Sequence, residues 1–297
     1  MSNYDDLLQK QNTSQNNKPF DKEAWAQKKK EQRETVYAMI DKATEDIARN
    51  GAAFQRYLSI QSRFDRYSVS NALLILAQRP DATRIADFDT WKEQGAYIRR
   101  NETGFYILEP GDEYQREDGS TGISYNPKKM FDISQTGGSR KRDTQTYPDD
   151  RTRLKALIDH APVHIEASDT LPASVDAQYR PDERDIQIRP GMNAGDIFRA
   201  LSRELAHAEM DRGDGSYDRA MYEFHAECVS YMLCRKYGME TEGHYSFNDV
   251  PEILSGIEPK EIRTELSEMK EAMSEISGRM NRMLAKQHQQ NKQEPER

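Results

Sequence analysis

The sequence predicts an α+β fold: N-terminal helices with a small antiparallel sheet, then a mostly helical C-terminal part that ends in a long helix. Three observations carry this. Apolar residues recur at helical spacing in the front third and again beyond Ala194. Between Gly95 and Ile133 the period drops to two, as in a half-buried strand. From Ile262 to Met283 the apolar spacing is heptad-like.

At 297 residues the chain is long enough for two domains of ~150 residues each. Charged residues make up 32% and apolar ones 35%, with a mean hydropathy of −0.99, so modest cores with disordered ends are expected. No apolar run approaches the ~20 residues of a membrane span, and Met1–Lys18 lacks the apolar stretch of a signal peptide. The two cysteines, Cys228 and Cys234, share one predicted helix and form neither a disulfide framework nor a C-x-x-C pair. A cytoplasmic location is the expectation. The net charge of −8 is uneven. Residues 1–142 hold 23 Lys and Arg against 21 Asp and Glu, and the remainder 20 against 30, so the front half is the better partner for a polyanion.

Residues 1–19 read as disordered. Asp21 caps a helix reaching Asn50-Gly51, with Trp25, Val36, Ile40, Ala43 and Ile47 inward. A second helix spans 52–62. Ser68 opens a third, with Leu73, Leu74, Leu76 and Ala77 as core, and Arg79-Pro80 stops it. Residues 88–94 form a short helix around Trp91. Strands 96–100 and 104–108 flank Asn101-Glu102-Thr103 as a hairpin, and a further strand covers 129–133, with a polar excursion at Asp118-Gly119 between. The front domain is placed at 20–136 and an interdomain linker at 137–150, with the basic trio Arg140, Lys141 and Arg142. The back domain, 151–286, has a helix at 151–160, a strand at 163–167, a hairpin from Asp176 to Ile188, and helices at 194–211 and 218–237. The last helix starts at Pro259, and residues 287–297 read as a disordered tail. Its apolar stripe, Ile262, Leu266, Met269, Met273, Ile276, Met280 and Met283, either packs on its own domain or recruits a second chain through residues 262–284.

The segment Arg203-Glu204-Leu205-Ala206-His207 carries the chemistry. Zinc peptidases place H-E-x-x-H on one helix face, where two imidazoles hold the metal and the Glu activates its water. Here Glu204 is the candidate catalytic residue and His207 the candidate ligand, but Arg203 stands where the first histidine belongs. A guanidinium is permanently charged and cannot ligate zinc. The following helix offers Glu227 as a third ligand and Glu223 one turn earlier. His225 lies ~200° around that helix from both, which points to a structural role. In a zincin-like arrangement Arg203 becomes the substitute for the metal charge, with Glu227 as its expected ion-pair partner.

In order and spacing, several segments resemble the ArdC-like and LtrC-like antirestriction proteins of plasmids and conjugative elements, over roughly Phe20 to Leu284. They are Tyr67-Ser68-Val69-Ser70-Asn71 with Leu73-Leu74, Gln78-Arg79-Pro80-Asp81-Ala82-Thr83, Trp91-Lys92-Glu93-Gln94-Gly95 and Phe131-Asp132-Ile133-Ser134-Gln135-Thr136. In the back half they are Glu204-Leu205-Ala206-His207 and Glu223-x-x-Ala226-Glu227-x-Val229. The resemblance implies a front domain that binds single-stranded DNA and a zincin-like back domain with a zinc cofactor, the latter opposed by Arg203. The residues agree with the first part. Arg56, Arg63, Arg66 and Tyr67 cluster before the third helix, Tyr97, Arg99 and Arg100 sit on the first strand, and single strands are held by cations and aromatic faces. Asn71 could bond a base or cap a turn, and Trp91 and Phe105 fit a core better than a base platform. Three functions follow: a single-stranded DNA-binding accessory protein of a mobile element with a degenerate peptidase domain, a metallopeptidase with a rearranged metal site, or a scaffold acting through its last helix.

Overall fold

The computed structural model describes residues 21–116, 118–138 and 147–293. The expected N-terminal disorder, the basic trio of the linker and the last four residues of the tail lie outside these. The front half begins with α1 (Lys22–Ala48), α2 (Gly51–Arg63) and α3 (Val69–Gln78), capped by the side chains of Asp21, Asn50 and Ser68. Then come β1 (Ile85–Ala86), α4 (Phe88–Glu93), β2 (Tyr97–Ile98), β3 (Phe105–Gln115), β4 (Thr121–Asp132) and β5 (Thr136–Gly137).

The sheet departs from the expected hairpin around Asn101. β2 does not pair with β3. It pairs with β5, Tyr97 opposite Gly137, while β3 and β4 form a long ribbon that turns at Asp118-Gly119, with β1 on the far side of β4. The ribbon was obscured because its outer part is exposed on both faces, so it carries no apolar alternation to read.

One edge of that sheet is covered in a specific way. Asn71, on α3, donates from Nδ2 to the Leu108 carbonyl (2.8 Å) and accepts the Leu108 N–H at Oδ1 (2.7 Å). Two turns on, Gln78 does the same for Tyr106, at 2.8 and 2.9 Å. Two side-chain amides thus stand in for the missing neighbouring strand. Asn71 therefore neither caps a turn nor faces a base. Trp91 and Phe105 are core, and the Trp91 indole donates to the Phe131 carbonyl at 2.9 Å.

The back half contains α5 (Asp150–Ile158), β6 (His164–Ala167), β7 (Ala177–Arg180), β8 (Asp185–Ile188), α6 (Ala194–Met210), α7 (Arg219–Tyr237), a short α8 (Val250–Ile253) and α9 (Pro259–Gln293). The sheet order is β6-β8-β7, with the expected β7–β8 hairpin and a parallel β6–β8 pair. α9 runs beyond the expected boundary at Gln287, because the Gln- and Lys-rich stretch is compatible with helix and no breaker precedes Pro295.

A single apolar cluster runs through both halves. α2 lies on α7, and α9 crosses α1, α3, α5, α6 and α7. Phe54 meets Phe224 and Phe247 at ring distances of 5.5 and 5.7 Å, and Ser59 bonds Tyr231 at 2.7 Å. Gly51 sits where a Cβ would come within 2.0 Å of the Phe247 carbonyl oxygen. The heptad stripe of α9, from Ile262 to Met280, is at most 2% exposed. It is filled from within the chain, which removes that stripe as a docking surface for a second copy or a partner.

Replacing Asn71 by Ala leaves the Leu108 N–H and C=O without partners at a buried edge. The loss is expected to be roughly 1–3 kcal/mol by denaturant titration. A change below ~0.5 kcal/mol, the range of neutral surface substitutions, would show that water replaces the amide there.

Candidate functional site

The pocketed face of the back half is built by α6, the β7 edge and the start of α7. Asn193 caps α6, whose amphipathic pattern buries Leu201, Leu205 and Ala208 and sets Arg203, Glu204 and His207 along the face toward β7 and α7. Glu204 is completely buried. Its Oε2 accepts the Tyr179 backbone N–H of β7 (2.7 Å) and Arg219 Nη1 (2.8 Å), and its Oε1 accepts Arg219 Nη2 (2.8 Å). This is a two-point guanidinium–carboxylate pair. The carboxylate expected to activate water is thus held as a structural joint between strand and both helices. Arg219, four residues after the Asp214–Gly215 turn and first in α7, had no motif to mark it.

His207 is also fully buried. Tyr217 bonds its Nδ1 at 2.9 Å, and Glu223 Oε2 lies 3.3 Å from its Nε2, without hydrogen-bond alignment among the described residues. Arg203 is directed at Glu204 (3.5 Å) and Glu223 (3.6 Å), and Arg219 Nε also stands 3.5 Å from Glu223. The expected Arg203–Glu227 ion pair is not among those of the described residues. Glu223 is one turn closer to the α6 face and takes the guanidinium, while Glu227 turns to a pocket of about 260 Å³ that Arg203, Arg199, His244 and Tyr245 also line.

The protonation pattern follows. His207, and then Arg203 and Arg219, hold the Glu223 carboxyl down at about 2. Burial pushes Glu227 above the ordinary carboxylate range, against a smaller pull from Arg203.

These residues do not fit a catalytic zinc. The buried His207 Nε2 is the right kind of donor. A dication beside it, however, would share Glu223 with two guanidinium groups, and Glu204 is already committed to Arg219. A second group of ligand types lies on the other side of α7, where atoms of His225, Glu265 and Glu268 come within 4.8 Å of one another.

The front-half candidates do not converge on one surface. Arg63 donates to the Ala82 carbonyl and Arg99 to Glu102 and the Ser134 carbonyl, so both brace loops. Tyr67 is half-buried against Phe64. Tyr97 is 63% exposed and lies over Gly137, and Arg56, Arg66 and Arg100 are exposed. The structure brings together a different set. Trp25, expected inward, is 51% exposed because the first turns of α1 extend past the core. With Lys28, Lys29, Lys128, Lys129 and Tyr106 it lines a groove of about 640 Å³ between α1 and β4. Lys29 lies 5.9 Å from the Trp25 ring centroid. Exposed Tyr37, Tyr114 and Tyr125, with Arg33, line the adjoining pocket along the ribbon. The lysine run of α1, Lys28 to Lys30, gave no cue to this, since the other wall of the groove comes from β3 and β4.

The fold and these two faces place the molecule in a class. It is an α+β protein in which a helical front with a small sheet is fused through a common core to a helix-and-hairpin back half. Residues 21–151 match the N-terminal domain of anti-restriction factor ArdC. Its fold is similar to the Mn(II)-bound crystal structure of antirestriction protein ArdC from plasmid R388. The TM-score is 0.57 at 20% identity, over 82% of this chain and 98% of that one. The metal-free structure of the same protein matches with a TM-score of 0.49 and 19% identity, over 73% of this chain and 86% of that one. An uncharacterized protein of Bacillus anthracis, pXO2-81, is 22% identical over 288 residues, covering 75% of this chain. This chain spans only 47% of that relative's length.

Breaking the Glu204 pair from one side with Arg219→Met is expected to cost about 3–5 kcal/mol, the range for a buried carboxylate left alone. Arg203→Met, at a half-exposed pair, should cost only ~0–1 kcal/mol. Denaturant titration of both variants checks this order, and the reverse order would make Arg203 the principal counter-charge.

Glu223 contributes stability that is complete above its unfolded value of about 4.5 and is lost as pH falls through about 2. Glu223→Gln should therefore flatten the acid limb of a pH–Tm curve in that window. Glu227 has the opposite sign. Its raised value means stability present at low pH and lost as pH rises through it. Glu227→Gln is expected to raise Tm at neutral pH, with the gain fading below about pH 4.5; a lower Tm at pH 7 would show that its charge has a partner.

Proposed function

We propose that this chain is a single-stranded DNA-binding antirestriction protein whose zincin-like back half serves as scaffold and not as a peptidase. The observation that carries the reading is the groove between α1 and β4, where an exposed Trp25 stands among Lys28, Lys29 and Lys129 with tyrosines continuing along the ribbon. Unpaired bases expose faces that stack on aromatic rings, and lysines follow the phosphates. Lys128 is held by Asp87 and Glu109, at 2.8 Å each, and shapes the wall of the groove. The match of residues 21–151 to the N-terminal domain of anti-restriction factor ArdC supports the same reading, as does a front half less acidic than the back.

For the back half, Arg203 and Arg219 supply the positive charge that a metal would bring to Glu204 and Glu223. The R388 relative binds Mn(II). In this chain the two guanidiniums neutralise Glu204 and Glu223, so the face is a closed electrostatic joint. Metal-dependent hydrolysis of peptides is expected to be undetectable in the wild-type chain. Chelator-sensitive activity lost in Glu204→Ala would overturn this.

Because the core is continuous, binding should be measured on the full chain. Single-stranded oligonucleotide is expected to bind more tightly than duplex. Trp25→Ala should weaken it by ~1–3 kcal/mol, about 5- to 150-fold. Replacing Lys28, Lys29 and Lys129 together should reduce the salt slope by about 2, at ~0.7 per phosphate contact. Equal affinity for duplex and single strand, unchanged by both variants, would sink the groove as the DNA site.

A further inference from the structure

We infer that His225, Glu265 and Glu268 form a transition-metal site that bridges α7 and α9, separate from the Glu204 face. His225 lies on the side of α7 away from Glu223 and Glu227 and is only 7% exposed. Among the described residues, neither of its ring nitrogens has a hydrogen-bond partner. A buried imidazole whose nitrogens have lost water and make no aligned hydrogen bond is unfavourable.

What faces it is a pair of carboxylates. Glu265 and Glu268 are three residues apart on α9 and so share one face of that helix. Glu265 Oε2 lies 2.5 Å from His225 Nε2, a close approach that lacks hydrogen-bond alignment. One ligand atom from each of the three residues falls within 4.8 Å of the others. Ligands sharing an ion at ~2.0–2.2 Å can be no more than ~4.4 Å apart, so a small side-chain adjustment closes the set. Tyr222 and Phe224 wall the imidazole edge-on at 5.7 and 6.3 Å, which fixes the ring. The Glu265 side chain is 43% exposed, and this open side leaves positions for water.

One imidazole and two carboxylates suit Zn(II), Mn(II), Co(II) or Fe(II), and not Cu(I), which prefers thiolate, or Ca(II), which takes oxygen alone. Two negative charges with a neutral imidazole also match a dication, where the Glu204 face presents two guanidiniums. The metal would tie the last helix to the helix that carries Glu223 and Arg219.

The test uses chelator-treated full-length protein titrated with ZnCl2, with CoCl2 as a spectroscopic probe. The expected result is one equivalent bound, a Co(II) absorption spectrum with an imidazole ligand, and a Tm that rises with zinc concentration. Glu268→Gln, at a partly exposed position compatible with folding, and Glu265→Gln should each weaken binding at least tenfold. His207→Gln and Glu223→Gln should leave it unchanged. The inference is overturned by absence of saturable binding. It is equally overturned by binding that survives Glu265→Gln with Glu268→Gln and vanishes with His207→Gln, which would place the ion at the other face. A zinc-independent Tm whose pH dependence in the histidine range disappears in His225→Gln would show a proton, not a metal, between these groups.

Discussion

The arrangement of the back half depends on one buried carboxylate. Glu204 has no access to water, and an ionised carboxylate in that position is tolerated only if its oxygens are answered. The answers come from two other elements: the Tyr179 amide on the β7 edge and the Arg219 guanidinium at the start of α7. Moving any one leaves a buried charge unsatisfied, so strand edge, helix and helix entrance are fixed together. The turn through Gly213 and Gly215, both at positive φ, exists to bring Arg219 back over α6. Tyr179 and Asp211 close the far end, hydroxyl to carboxylate at 2.7 Å.

That joint changes what the H-E-x-x-H-like segment means. In a metallopeptidase the glutamate must have an oxygen for water and the metal must keep an open position. Here the glutamate is occupied, and two arginines surround the remaining acid, Glu223. The acids of this helix pair are held by fixed cations, Glu204 by Arg219 and Glu223 by Arg203 and Arg219. Burial pushes the Glu227 carboxyl up, against a smaller pull from Arg203.

The two halves also constrain each other. α2 contributes Phe54 and Ser59 to the surface of α7, and α9 lays its apolar stripe across helices of both halves. Lys236 reaches Asp65 at 2.6 Å and Arg263 reaches Asp41 at 2.8 Å, so charge pairs follow the same seam. The back half also has a physical task, because it covers the apolar side of the front helices and holds α1 where Trp25 and its lysines face β4. The groove between α1 and β4 and the back half are coupled through packing.

Much was readable in the sequence itself. The helices and their caps at Asp21 and Ser68, the β7–β8 hairpin and the α+β class follow from periodicity and local chemistry, which act over a few residues. That Arg203 stands at the first position of the H-E-x-x-H-like segment, and cannot ligate a metal, is likewise a property of one side chain. Tertiary structure alone decided the rest. The partner of β2, the edge role of Asn71, the closure of Glu204 by Arg219 and the groove between Trp25 and Lys129 each join residues remote in the chain. Asn71 reads identically whether it meets a base or a strand edge, and Trp25 reads as core wherever its helix stays on the core. The physical reason is that hydrogen bonds and ion pairs of this kind are set by which elements the shared core brings into contact, and single-sequence pattern contains spacing along the chain but not distance across it.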